Sequence, residues 1–172
     1  PDEGADVILN IGNQSSTLVV NGNKLPFFTR EINIAGHHFT KYIMNKHNMN
    51  YKDAENYKIE NGCNDQNTND NESTNDFDLQ IAEKSIYSNL VDEIRKTLRY
   101  YVKSNNQVFF NKFLLSGGSA SLPHLNKFIA DNLNVKVELF NPFQNIKSSI
   151  HIDNPSQFAI AIGLAIRGIE DK

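Results

Sequence analysis

Five apolar residues, Ile86, Leu90, Ile94, Leu98 and Tyr101, recur at spacings of four, four, four and three. That rhythm places them on one face of a long α-helix. A stripe of this length has to be covered, and a sheet is the natural cover. The sequence before it supplies strands. Residues 6–20 read as strand, tight turn, strand: Val7, Ile8, Leu9 and Ile11, then the polar run Gly12-Asn13-Gln14-Ser15-Ser16, then Thr17, Leu18, Val19 and Val20. A second turn at Asn21-Gly22-Asn23 leads into residues 25–34, where Phe27, Phe28, Ile32 and Ile34 keep the β-rich character. Three consecutive antiparallel strands are expected.

After the long helix, whose start the pattern puts near Phe77 or Leu79, residues 108–115 read as a strand ending in Ser116-Gly117-Gly118-Ser119. Pro123 suits the first turn of a helix carrying Leu125, Phe128, Ile129 and Leu133. Another strand follows at 135–140, and a last helix at about 156–169 is apolar around most of its circumference, with Gly163 inside it. Such a helix is expected to be buried and packed closely on another backbone. Between the strands and the long helix, Phe39, Tyr42 and Ile43 mark a helix starting near Gly36, and Asn50 with Asp53 caps a second short one running through Tyr57. Residues 61–76 are almost wholly polar and read as a mobile loop. The order of elements makes a mixed α/β domain with a small helical insert.

Composition narrows the function. The 172 residues and 39% hydrophobic content suffice for a real core. A net charge of -3 without a dense Lys/Arg run argues against a nucleic-acid surface. Cys63 is the sole cysteine, so neither an internal disulfide nor a Cys-pair metal site can form, and a cytoplasmic setting is the default. The longest apolar stretch, 158–166, is far shorter than the roughly 20 residues that span a bilayer, so membrane association would come through a partner. The first strand pattern begins within a few residues of Pro1, which suggests a fold whose first half is missing. His37 and His38, adjacent on a helix, should point apart, and no Ser/His/Asp or metal-ligand spacing stands out; no catalytic residue and no metal ligand is assigned.

Three stretches carry possible binding chemistry. Successive backbone N–H groups in the turn after Asn10 can hold a phosphate oxygen, with Gly12 admitting close approach and Ser15, Ser16 or Thr17 adding hydroxyls; the same residues also suit an ordinary polar hairpin. Gly117 and Gly118, between strand and helix, leave bare backbone for a planar ligand, or serve a turn that needs positive φ. Glu55 and Lys58 lie three apart on one helix face, as a surface ion pair or as groups reaching a ligand.

These stretches resemble one superfamily. Leu9-Asn10-Ile11-Gly12 with Ser16 and Thr17 is similar to the second phosphate-binding hairpin of the actin, Hsp70 and sugar-kinase proteins. Leu114-Leu115-Ser116-Gly117-Gly118-Ser119-Ala120 resembles their adenosine motif, and Ala161-Ile162-Gly163-Leu164-Ala165 their closing connecting helix. Phe28-Thr29-Arg30-Glu31-Ile32, Ala35-Gly36, Phe39-Thr40 and Ala54-Glu55-Asn56-Tyr57-Lys58 resemble the PilM family of type IV pilus assembly proteins, which is related to FtsA.

The resemblance implies an actin-like, ribonuclease H-like lobe over residues 1–172, the second of two. Its core is expected at 5–35 and 105–170, with a helical insert at about 36–104. It implies ATP, and Mg²⁺, held by Asn10, Gly12, Asn13, Ser15, Ser16, Thr17, Glu55, Lys58, Gly117, Gly118 and Ser119. It further implies a cytoplasmic scaffold, peripheral to the inner membrane, that docks on the cytoplasmic tail of a membrane-anchored pilus partner. The missing first half would complete the cleft. Alternatives within the superfamily are an ATP-dependent kinase or ATPase and an FtsA-like division protein. Asn10 stands where the superfamily has an aspartate for magnesium, which favours nucleotide binding over hydrolysis.

Overall fold

The computed structural model of the chain describes residues 4–22, 25–66, 85–105, 109–146 and 152–170. Five strands form one mixed sheet: β1 (Ala5–Ile11), β2 (Ser16–Gly22), β3 (Leu25–Ile32), β4 (Phe110–Ser116) and β5 (Val137–Leu139). Their order is β3-β2-β1-β4-β5, antiparallel from β1 to β3 and parallel from β1 through β4 to β5. The antiparallel half is a meander. The parallel half needs crossovers, and α4 (Leu125–Leu133) provides the one between β4 and β5.

Alternation along β1 buries Ala5, Val7, Leu9 and Ile11 on one face. The long helix α3 (Ile86–Ser104) lays Tyr87, Leu90, Val91, Ile94 and Tyr101 into the same cluster, as the stripe demands. Full burial of one such side chain contributes about 1.5–3 kcal/mol. The same buried cluster also takes in Phe39, so the strands, the long helix and residues of the expected insert at 36–104 share one core. Its start is Ile86, not Phe77 or Leu79: Ser85 is extended, and its side chain accepts from the Ser88 N–H at 3.2 Å, an N-cap that sets the boundary. Residues 77 and 79 lie outside the described residues.

After β3 come two helices, α1 (Gly36–His47) and α2 (Tyr51–Asn61). Asn50 caps α2 as expected, accepting from the Asp53 N–H at 3.0 Å, and α2 runs four residues past Tyr57. The described part of the loop expected at 61–76 is ordered into helix: Asn61 ends α2. Gly62–Gln66 is a 3₁₀ turn, and Cys63 is buried in the core with its N–H donating to Pro123 O at 3.0 Å. Residues 67–76 lie outside the described residues. Gly62 sits at φ +56, with the Pro123 carbonyl where a Cβ would project, so only glycine fits this contact.

Two further expectations need correction. Pro123 precedes α4 instead of sitting in its first turn; His124, at φ 62, is the residue before Leu125, and residues 117–124 form a run of turns. The last helix, α5 (Ala159–Glu170), is not buried: Ile160, Leu164 and Ile169 are 61%, 64% and 74% exposed. The space around Gly163 is open, so no neighbouring backbone requires it to be glycine.

Candidate functional site

The site grows from the ends of β1 and β4, where parallel strands in an α/β sheet place ligand-binding loops. Asn10 faces Thr17 across the β1–β2 pair and Ser116 across the β1–β4 pair, so three polar residues stand side by side over three strands. Leu9 and Ile11, pointing the other way, are fully buried and fix this orientation. The Ser116 hydroxyl approaches Asn10 Oδ1 at 3.4 Å.

Beyond Ile11 the chain turns sharply, with Gly12 N–H donating to Ser15 O at 3.2 Å. A Cβ on Gly12 would lie 3.0 Å from that same oxygen, so the tightness of the turn favours glycine. The carbonyls of the tip are consumed by the start of α1: Gly36 N–H donates to Gly12 O at 3.0 Å and His37 N–H to Asn13 O at 2.9 Å. Ser119 Oγ adds a third donor, 3.2 Å from Gly12 O. With the oxygens held inward, the N–H groups of Asn13, Gln14 and Ser15 have no partner in the chain among the described residues. Successive N–H groups left unpaired in a turn can form a concavity for an anion.

The Ser116–Ser119 turn closes the other side. Gly117 has φ +96, and a Cβ there would fall 2.4 Å from both Asn10 Oδ1 and Ile11 O. Its N–H donates to Ser156 O at 3.0 Å, and Ser119 N–H donates to Ile11 O at 3.1 Å. Gly118 differs: it is exposed and nothing lies within 4 Å of a Cβ built on it. The two glycines therefore do different things, Gly117 allowing a close approach inside the protein and Gly118 leaving a bare surface.

Lys58 is buried and its ammonium is fully engaged. It donates to Glu55 Oε1 at 2.7 Å, Thr40 Oγ1 at 3.0 Å and Gly36 O at 3.3 Å. Thr40 in turn donates to Glu55 Oε2 at 2.6 Å. Burial pushes the Glu55 carboxyl up, but the hydrogen bonds from Lys58 and Thr40, with the Lys58 charge, outweigh it and hold the carboxyl below its ordinary value. The pair thus links α2 through Gly36 to the hairpin tip, as an internal strut and not a surface ion pair.

Of the residues singled out in the sequence, Asn10, Gly12, Asn13, Ser15, Thr17, Gly117, Gly118 and Ser119 converge on this corner. Ser16 does not: it is fully buried and its hydroxyl donates to Ile34 O at 2.6 Å. Ser156 escaped sequence reasoning, and Thr40 entered it only within the family motif, without a role at the site. Thr40 sits one turn from Gly36, a spacing visible in retrospect; Ser156, 39 residues from Gly117, carries no local signal. His37 and His38 do not point apart, since their rings meet edge-on at 5.9 Å. The cause is that His38 turns back to accept from the Ala35 N–H at 3.2 Å.

The donor set does not fit a magnesium ion held by this chain. The oxygens nearest the tip belong to Asn10, Thr17 and Ser116, all neutral; the carboxylate of Glu31 follows Thr17 in the same row, on β3, two strands from Asn10. Among the described residues no group of three or more His, Cys, Asp or Glu side chains is placed to bind a metal. Cys63 is no candidate nucleophile, since burial pushes its thiol up to about 12. Among the described residues, no helix is long and apolar enough to cross a membrane.

A mixed five-stranded sheet of this order with flanking helices is the architecture of the actin-like fold. The match to MreB5 of Spiroplasma citri bound to AMPPNP shows the same architecture, at 17% identity and a TM-score of 0.62, over 98% of this chain and 54% of that one. EutJ from Carboxydothermus hydrogenoformans matches over 96% of this chain and 49% of its own, at 13% identity and a TM-score of 0.57.

The family model of type IV pilus assembly protein PilM matches residues 1–169, and the chain belongs to that family. The solved PilM-PilN type IV pilus biogenesis complex is similar at 24% identity, with a TM-score of 0.76, over 98% of this chain. This chain spans 47% of the length of that matched chain, about half.

Proposed function

We propose that this chain is the nucleotide-holding second half of a PilM-type protein and acts in type IV pilus assembly as an ATP-responsive scaffold. The observation that carries the reading is the division of labour at the hairpin tip. Gly12 and Asn13 turn their carbonyls into the start of α1, which leaves the N–H groups of Asn13, Gln14 and Ser15 outward for phosphate oxygens. Thr17, beside Asn10, offers a further hydroxyl. The adenosine lies over the bare backbone of Gly118. Glu55, half-exposed and ionised, presents its carboxylate toward the ribose, and Lys58 positions it from behind.

The first half of the fold covers the apolar face of α5 and completes the cleft; the coverage of about half of the matched chain supports this arrangement. The likeness to PilM in the PilM-PilN type IV pilus biogenesis complex supports a pilus partner, and the setting we propose is cytoplasmic, at the inner membrane, docked on a membrane-anchored pilus protein. ATP is held and sensed, and efficient hydrolysis is not expected because Asn10 supplies no charge for a metal. A kinase or ATPase role has no observation in its favour.

The test uses the chain joined to the first half of its fold and a fluorescent ATP analogue. Gly118→Val adds bulk where nothing else is touched, so affinity should fall about tenfold or more, equal to about 1.4 kcal/mol, at unchanged melting temperature. Equal affinity in the two proteins removes the adenosine assignment.

A further inference from the structure

On the side of the sheet away from the hairpin tip, α3, α4 and the start of β4 enclose an open groove of about 470 Å³, within the range of ligand-binding clefts. Its floor is apolar, made by Leu98, Val102, Phe110 and Leu133. Arg95, Arg99 and Lys103 line its edge, four residues apart on α3, so they form one stripe roughly 12 Å long. Their counter-ions are unequally provided. Arg95 donates to Asp92 Oδ1 at 2.7 Å and to Asn132 O at 2.8 Å, which ties α3 to the end of α4. Arg99 and Lys103 are exposed and have no acidic partner among the described residues.

We infer that this groove is a docking site for an acidic amphipathic segment of a partner protein, apolar side chains seated on Leu98 and Val102 and carboxylates paired with Arg99 and Lys103. Charge complementarity selects the occupant. In a chain of net charge -3, two unpaired cations beside an apolar floor are matched by carboxylates, and Arg offers a bidentate fork for them. The spacing fits as well, because acidic residues four apart on a helix, or two apart on an extended strand, repeat at about 6 Å, the rise between successive cations on α3. Concavity argues against a lipid surface, which needs a flat or convex face to reach its headgroups. The groove shares no residue with the nucleotide corner, so the inference does not depend on the proposed nucleotide binding.

The experiment pans a random peptide library on the chain and measures the enriched peptides by fluorescence anisotropy against wild type, Arg99→Glu/Lys103→Glu, and Val102→Asp. Phosphatidylserine vesicles form a parallel arm. Both charge-reversed positions are exposed, and circular dichroism with a melting curve checks the fold of every variant. The expected result is enrichment of peptides that combine Asp or Glu with Leu, Ile or Phe, bound at least tenfold more weakly by the charge-reversed protein and progressively weakened by salt. Enriched peptides without acidic bias, or binding equal in wild type and charge-reversed protein, overturn the assignment. So does binding to vesicles, lost on charge reversal, with no peptide enriched.

Discussion

Asn10 and the two glycines show how much single residues decide at this corner, and how little of that is local. Gly117→Ala places a Cβ against Asn10 Oδ1 and Ile11 O at a φ of +96, so it should destabilise the chain by about 2 kcal/mol. Gly118→Ala, with open space around it, should stay within about 0.5 kcal/mol. Urea melts of the two variants decide; equal losses would mean that the turn is not held as described. The glycine pair was legible in the sequence, but its division of labour was not, because the atoms that crowd Gly117 come from β1, more than 100 residues away in the chain. His38 is a second case. Its Nδ1 accepts from the Ala35 N–H, and burial, with His37 and Lys41 nearby, holds its pKa below the ordinary 6.5. The unfolded chain therefore takes up a proton more readily than the folded one. The stabilisation is complete above 6.5 and is lost as the pH falls through the depressed value. Chemical denaturation across that range should show a loss in wild type that His38→Ala lacks; an identical pH slope in both would remove the role given to this ring.

Elements were read from periodicity with success where the stripe had a partner in the chain, and with error where it did not. The stripe of α3 told both its structure and its burial, since the meander of β1, β2 and β3 lies ready to receive it. The N-terminal boundary was misplaced because residues 77–81 contain apolar side chains that extend the pattern, whereas the cap at Ser85 depends on one hydroxyl. The circumference of α5 was equally apolar, yet its side chains are exposed. Periodicity reports that a face wants cover; it does not report which molecule or segment supplies it. The contrast yields a prediction at this scale. Ile94→Ala removes a fully buried side chain and should cost about 3 kcal/mol. Ile160→Ala, on exposed α5, should cost less than about 0.5 kcal/mol in this chain. Joined to the first half of the fold, the same Ile160 change should become costly, by about 2 kcal/mol, as the face is covered. Melting curves on both forms test it, and an Ile160→Ala effect that stays small in the joined form would detach α5 from the proposed interface.

At the scale of the molecule, the sheet brings three neutral side chains to a place where an anion is expected, with the carboxylate of Glu31 one strand beyond Thr17, and metal dependence follows from that spacing. Asn10, Thr17 and Ser116 can donate to or accept from a nucleotide, but they contribute no negative charge toward Mg²⁺. Magnesium beside Asn10 would be held by the phosphates and water, so these three residues gain little from it. ATP affinity of the joined protein should consequently change little when Mg²⁺ is replaced by a chelator, and turnover should stay near the uncatalysed level. Asn10→Asp restores a carboxylate beside Thr17 and Ser116 without altering side-chain shape. In the presence of Mg²⁺ it should bind ATP more tightly than with chelator, by about tenfold, or about 1.4 kcal/mol. With the metal removed it should bind more weakly than wild type, because an unpaired carboxylate then faces the phosphates. The crossing of these two effects distinguishes a site tuned for sensing from one that merely lacks a ligand. Strong Mg²⁺ dependence in the wild-type protein would place the metal on protein groups other than these three, and the reading of Asn10 as a neutral anchor would fall.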